Sequence, residues 1–282
     1  MTKEPKAPTS YRVINLVPRS NQASKPVELI HITGHEQLSL IARRSITVLW
    51  HNAHRQGVEE GKRYTIPLAD LMPTKHKGYE RVEEVIISLM KTLLTIKLAD
   101  GSTDRIQFLG YTNIADKRRQ AGLLTYKFDA VLVDILRDST IWGKISMPEL
   151  MALSSKYSVP LYEHVSQWTG LGRKSHQIMS LEEFRALVGV EDSKYDLLGD
   201  LNRKVLKPIA AEINALAPFA IHITQIKTGK KVTHLRIDWW AKEPEQIKES
   251  WAEMDRSSIG RYARMTDQTE AIVDDSDDQD PA

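Results

Sequence analysis

Cysteine is absent from this chain of 282 residues. That excludes a disulfide scaffold, thiolate zinc sites and a cysteine nucleophile, and it fits a reducing cytoplasm. Long apolar runs are missing too, so no segment is expected to span a membrane. The N-terminal "MTKEPKAPTSYRVINLVPRSNQASKP" has no apolar signal core. It is rich in Pro, Ser and Lys, and flexibility is expected to about Ser24. A strong net charge is lacking: 39 Lys and Arg stand against 37 Asp and Glu. The distribution is uneven, because the closing "DDSDDQDPA" gathers acid and leaves a basic body. A basic body with an acidic tail points to a polyanion partner.

The usual motifs of catalysis are also missing. "GLGRKS" departs from the phosphate-loop pattern G-x-x-x-x-G-K-[ST] and follows no expected strand. His51 and His54 lie three apart on one helix with no third ligand in view. No H-x-H pair of the kind a metal-dependent nickase needs is present, and the scattered carboxylates form no acid–base pair. The expectation is a protein that is not an enzyme and holds no cofactor or metal.

What is present is organised helical and strand periodicity in a globular composition, 41% hydrophobic and 27% charged. Residues 35–56 space Leu38, Ile41, Val48, Leu49 and Ala53 as an amphipathic helix. A short strand, "KRYTIP", and a short helix, "LADLM", follow. A strong helix is expected from Tyr79 to Leu94, with Val82, Val85, Ile86 and Leu89 in its buried stripe. "TIKLADGSTDRIQFLGYTNI" reads as a hairpin turning at Asp100-Gly101, and "LLTYKFDAVL" as a returning strand.

The second half repeats this element order without a residue-level repeat. "SMPELMALSS" is a short helix capped by Ser146, with Pro148 in its first turn. "VPLYEHVSQWTG" is the next helix and "GLGRKSHQI" a basic loop. "SLEEFRALVG" opens with a Ser180–Glu183 capping box. A long helix and a hairpin close the unit near Trp240, with Trp239 and Trp240 expected to pack the domain. Three helices and a terminal hairpin, twice over, predict an α+β chain of two tandem winged helix-turn-helix domains with flexible tails. The expected boundaries are a flexible arm over 1–30, a first domain over 31–140, a second domain and main reader over 141–242, and a tail over 243–282 ending in acid.

The long helix carries the chemistry. At 100° per residue, Leu197, Leu198, Leu201, Val205, Leu206, Ile209, Ile213 and Leu216 fill one arc. Asp200, Arg203, Lys204, Lys207, Ala211 and Asn214 fill the other. Arg, Lys and Asn are donors suited to guanine, adenine and phosphate in a major groove. Pro208 is expected to kink the helix. Lys227, Lys230 and Lys231 at the hairpin tip suit phosphates beside the groove, with Lys194, Arg173 and Lys174 in the flanking loops. In the first half, Lys75, Lys77, Arg81, Lys117, Arg118 and Arg119 form a weaker basic set, suited to phosphate contact more than to base reading.

Three stretches carry a family resemblance: "SMPELMALSSKYSVPLYEHVSQW", "SLEEFRALVGVEDSKYDLLGDLNRKVLKPIAAEINAL" and "KKVTHLRIDW". Together they resemble the second winged-helix domain of the iteron-binding plasmid replication initiators, the initiator Rep family. The resemblance is strongest over 145–240 and rests on element order over 35–136. It implies a bacterial cytoplasmic protein that binds double-stranded origin repeats (iterons) through two winged domains. It further implies origin opening, recruitment of host replication proteins such as a helicase, and a homodimer in equilibrium with monomer. That dimer would repress its own promoter at an inverted repeat. Carried over by position, Arg203, Lys204 and Lys207 fall on the recognition helix, and Lys230 and Lys231 on its wing. A winged-helix transcriptional regulator is the alternative, and a nicking Rep nuclease lacks its His pair.

Overall fold

The computed structural model describes residues 21–71, 79–97, 100–115, 122–137, 139–169 and 175–266, without the side chains of 79–81. The described chain opens with strand β1 (Gln22–Pro26) and helix α1 (Val27–Ile30), both inside the segment expected as a flexible arm. Order begins there because β1 pairs antiparallel with β7 (Trp142–Ser146) and buries Ala23, Ser24 and Lys25. A polar composition hid the strand, since its buried polar groups have partners.

In the first domain, α2 (Leu40–Arg55) starts at Ser39, whose hydroxyl accepts from the Ala42 N–H. It lays Ala42, Ile46, Leu49, Trp50 and Ala53 into the core. Strand β2 (Tyr64–Pro67) and a 3-10 turn (Leu68–Leu71) lead to α3 (Tyr79–Lys91), which buries Val82, Val85, Ile86 and Leu89. The stretch expected as one hairpin divides in two. Strand β3 (Leu93–Lys97) pairs with β4 (Thr103–Gln107) across Gly101 at φ +86°, while β5 (Leu109–Ile114) pairs with β6 (Leu123–Phe128). Phe108 and Leu109 are both fully buried. Two successive buried residues break the alternation of a strand, and there the chain changes sheet. The expected strand over 123–132 stops at Phe128; α4 (Ala130–Arg137) takes over, with the Asp129 carboxylate accepting from the Val131 N–H at 2.9 Å.

The second domain runs α5 (Met147–Ala152), α6 (Ser158–Thr169), β8 (His176–Ser180), α7 (Leu181–Val188), α8 (Leu198–Leu201), a π turn (Asn202–Leu206), α9 (Lys207–Leu216), β9 (Phe219–Thr228) and β10 (Lys231–Ala241). Ser146 stands at the start of α5, but its hydroxyl makes no capping bond. Strand β8, expected as part of a loop, pairs with β10. The sheets have the same plan: β6 lies between β2 and β5, and β10 lies between β8 and β9. Each is the three-stranded sheet of a winged helix, with the hairpin strands last in sequence. Beyond it, in the segment expected as tail, α10 (Pro244–Asp255) and α11 (Arg261–Met265) pack Met254 and Met265 against the second core. Trp239 joins that core, whereas Trp240 on the opposite sheet face is 51% exposed.

The seam between the domains carries buried polar and charged groups. Lys25 on β1 donates to the Glu163 carboxylate on α6 at 2.7 Å and to Thr47 on α2 at 2.8 Å, and Thr47 donates to the other Glu163 oxygen at 2.5 Å. Burial pulls the Lys25 ammonium below its usual pKa, and Glu163 opposes that shift. Arg43 on α2 donates to the carbonyls of Lys156 (2.8 Å), Val188 (2.6 Å) and Gly189 (3.0 Å) in the second domain, and to that of His35 (3.2 Å) in its own. Burial lowers its pKa to about 10, so it stays charged at neutral pH.

Gly189 ends α7 in the left-handed region, φ +66°, and a Cβ there would stand 2.5 Å from Arg43 Nη2. Gly189→Ala is therefore expected to destabilise the chain by about 1–2 kcal/mol from backbone strain alone, with displacement of Arg43 in addition. Chemical denaturation against the parent measures it; an unchanged midpoint would show that Arg43 does not hold the seam.

Candidate nucleic-acid interface

The long helix of the second domain is continuous from Leu198 to Leu216. Pro208 has no N–H to offer, and the turn before it widens: the Lys207 N–H donates to Asn202 O, five residues back. The kink expected at Pro208 takes the form of this π turn. The inner face is as the periodicity predicts, with Leu201, Val205, Leu206, Ile209, Ile213 and Leu216 all buried. Leu197 is a correction: it precedes the first helical residue, lies off the helical phase and is 72% exposed.

Two polar residues fix this helix to its domain. Glu212, 3% exposed, accepts from the Ser154 N–H and hydroxyl and from the Ser155 N–H at 3.2 Å. Asn214 donates to Ile221 O at 3.0 Å and accepts from Ile221 N at 2.7 Å. Asn214 was expected as a base-reading donor. Both ends of its amide are engaged by strand β9.

The outer face is different. Arg203, Lys204 and Lys207 are exposed. Arg203 donates to Asp200 at 2.7 Å with its side chain 72% exposed, so the carboxylate orients the guanidinium without covering it. Lys204 and Lys207 form no ion pair among the described residues.

The turn ahead of the helix is held rigidly. The Ser180 hydroxyl accepts from the Glu183 N–H (3.1 Å), and the Glu183 carboxylate accepts from the Ser180 N–H (2.7 Å). Those bonds hold the Glu183 carboxyl below its usual pKa, with His234 and Lys97, the last residue of β3, adding to the effect. Arg185 of α7 then donates to the carbonyls of Tyr195 (3.1 Å), Glu191 (3.1 Å) and Lys194, gathering the loop before α8 around one guanidinium. Tyr195 within it takes φ +56°. Sequence reasoning missed Arg185 and Glu212, because a charged residue on a helix gives no sign that it bonds backbone elsewhere. Lys194, expected as a DNA contact, ion-pairs with Glu191 at 2.5 Å and is 47% exposed.

The wing is the β9–β10 hairpin. Gly229 at φ +62° turns it, and Lys227, Lys230 and Lys231 are exposed at its tip. Helix α9 packs on β9, so helix and wing form one unit. Lys75, Lys77, Lys117, Arg118, Arg119, Arg173 and Lys174 lie outside the described residues, as does the side chain of Arg81. On α3, the described outward residues are Glu83, Glu84, Ile87 and Lys91. The Ser88 hydroxyl donates back to Val85 O. Among the described residues no group of three or more His, Cys, Asp or Glu is placed to hold a metal, and no helix is long and apolar enough to cross a membrane.

Both winged units have counterparts in known proteins, with α5 and most of α6 matched as part of the first. Residues 22–166 match the family model described as Initiator Replication protein, WH1, and residues 180–239 match Initiator Rep protein, WH2. The chain belongs to the initiator Rep family of replication initiators. This is the plasmid-initiator family that the three quoted stretches resemble, and both winged domains are present in it. Among solved structures, the chain is similar to a Pi initiator protein crystallised in complex with iteron DNA, at 18% identity and a TM-score of 0.57, covering 80% of this chain and all of that one. It also matches domains 2 and 3 of RctB at 12% identity and a TM-score of 0.42, over 76% of this chain and 82% of that one. The Pi likeness shows the shared fold. No curated protein matches.

Replacing Asn214 by Ala is expected to destabilise the second domain by about 1–3 kcal/mol, because it strips partners from the backbone of the buried Ile221. Base preference in DNA binding should not change, once folding is corrected for. A variant with parental stability and altered base preference would mark Asn214 as a reader.

Proposed function

We propose that this initiator binds the repeated sequences of a replication origin as double-stranded DNA, with residues 198–216 read into a major groove and the β9–β10 tip against the flanking phosphates. One observation carries the reading. The inner face of that helix is committed to the core, Ser154, Ser155 and Ile221, while its outer face presents one Arg and two Lys whose ammonium groups lack a counter-ion among the described residues. Arginine held by Asp200 is suited to the paired acceptors of guanine, and the lysines to guanine or phosphate. Family membership and the solved complex of the similar Pi initiator with iteron DNA support the same reading.

The proposal extends to what initiators must accomplish. Binding at adjacent repeats would load protein onto the origin, promote opening of nearby duplex and recruit host replication proteins, a helicase among them. A homodimer in exchange with the monomer would repress the chain's own promoter. The protein acts by binding, not by catalysis, in a bacterial cytoplasm.

A footprint of the purified protein on the DNA flanking its own gene tests this directly. Regularly spaced direct repeats are the expected protection; a single inverted repeat over a promoter and nothing else would indicate a transcriptional regulator. Arg203→Ala should lose about 1–3 kcal/mol of specific binding. Lys230→Ala with Lys231→Ala should weaken all sequences alike and reduce the salt slope by about 2, near 0.9 per phosphate contact. Parental affinity in Arg203→Ala and in Lys204→Ala with Lys207→Ala, both folded, would remove the helix assignment.

A further inference from the structure

Leu197 contradicts the rules for stability at its position in two ways. It is the residue that caps α8, where Ser, Thr, Asp or Asn would bond the free N–H groups of the first turn; Leu197 makes no such side-chain bond. Only its carbonyl serves the helix, accepting from the Asp200 and Leu201 N–H groups at 3.0 Å. Its side chain is also 72% exposed, whereas the next residue, Leu198, packs against the second core. An isolated exposed leucine needs no explanation elsewhere on a surface. Here it stands at the leading end of the helix that carries Arg203, Lys204 and Lys207. It directly precedes that helix with extended backbone, and its side chain faces solvent there. Arg185 fixes the loop that delivers it, through the carbonyls of Lys194 and Tyr195.

Where a sequence departs from the folding rule without a compensating contact inside the protein, a functional contact outside it is the expected compensation. The first residues of a recognition helix are those that reach base edges in the major groove. The one apolar group on those edges is the thymine 5-methyl. We infer that Leu197 is a specificity-determining residue that packs against a thymine methyl in the bound DNA. This rests on the proposed reading of residues 198–216 as the groove-binding helix. The contact would give the site an apolar feature that the charged face behind it cannot supply.

The test removes one methyl at a time from the DNA. Each thymine of the footprinted site is replaced in turn by deoxyuridine, which keeps every hydrogen-bonding group and lacks only the methyl. The full-length parent should lose about fourfold in affinity at one position, the equivalent of one buried methyl. Leu197→Ser should bind the parental site more weakly and show no further loss at that position. It should also be at least as stable to heat as the parent, because serine can cap α8. Loss of affinity with the uracil effect retained at every position would overturn the inference while leaving the helix reading intact, as would a parent indifferent to every uracil. Absence of any specific footprint in the parent would overturn both.

Discussion

Glu163 carries a carboxylate into the seam between the domains at 4% exposure, and the geometry around it leaves little freedom. Removing such a charge from water is expensive unless its lone pairs are taken up by well-placed donors. Lys25 and Thr47 take them up, one from β1 and the other from α2. Arg43 repeats the logic a short distance away, with its donors on carbonyls at the end of α7, where the chain leaves helix and orphan carbonyls are expected. An apolar seam would be as stable over a range of small slides. A seam of buried ions is satisfied in one relative placement, since displacement leaves a charge unpaired at a cost of about 3–5 kcal/mol. Both winged domains are thus held in one frame, and the first helix of the helix-turn-helix is tied to the other domain.

That frame continues into the reading helix. Arg43 meets Val188 and Gly189, Arg185 gathers the next loop, and Glu212 and Asn214 fasten the helix to its domain. Glu212 lies on the inner side and Arg185 beside the turn, while Asn214 holds β9 from an exposed position. On the outer side Arg203 pairs with Asp200, while Lys204 and Lys207 form no ion pair among the described residues. The π turn contributes as well: it adds a residue between the outward Arg203 and Lys204 and the outward Lys207, and it does so where Pro208 already denies an α-helical bond. Proline and π turn coincide, one lacking the N–H that the other's wider bond pattern passes over.

The sequence foretold the parts that depend on periodicity and local chemistry. The buried face of residues 201–216, the Ser180–Glu183 box and the Asp100-Gly101 turn were legible because each is decided within a few neighbouring residues. Leu197 was misplaced because a helical wheel extends past the first helical residue, where the backbone is no longer helical. The backbone bonds of Asn214 were not legible, because an amide suits a base edge and a strand backbone equally well and only the approach of β9 reveals the second. Strands β1 and β8 and helices α10 and α11 were missed because their composition is polar, and what orders them is distant: β7, β10 and the second core. Lys25 and Glu163 are the extreme case, since nothing local marks two charged residues 138 apart as a buried pair.

A rigid frame with unequal faces also constrains the DNA. The described outward face of α3 bears Glu83, Glu84, Ile87 and Lys91, while the second domain offers Arg203, Lys204 and Lys207 with a lysine-tipped wing. Two domains of one plan, one sheet order and different faces have no two-fold axis that exchanges their contacts. A palindromic site mirrors a two-fold axis in the protein that reads it. A single copy of this chain has none to offer, so the site that fits it is asymmetric, and copies bound side by side in the same sense need direct repeats. An inverted repeat would need a second copy to supply the missing axis. The buried ions of the seam, by holding the unlike domains in one relation, thereby link a packing constraint inside the protein to the polarity of the sequence it would occupy.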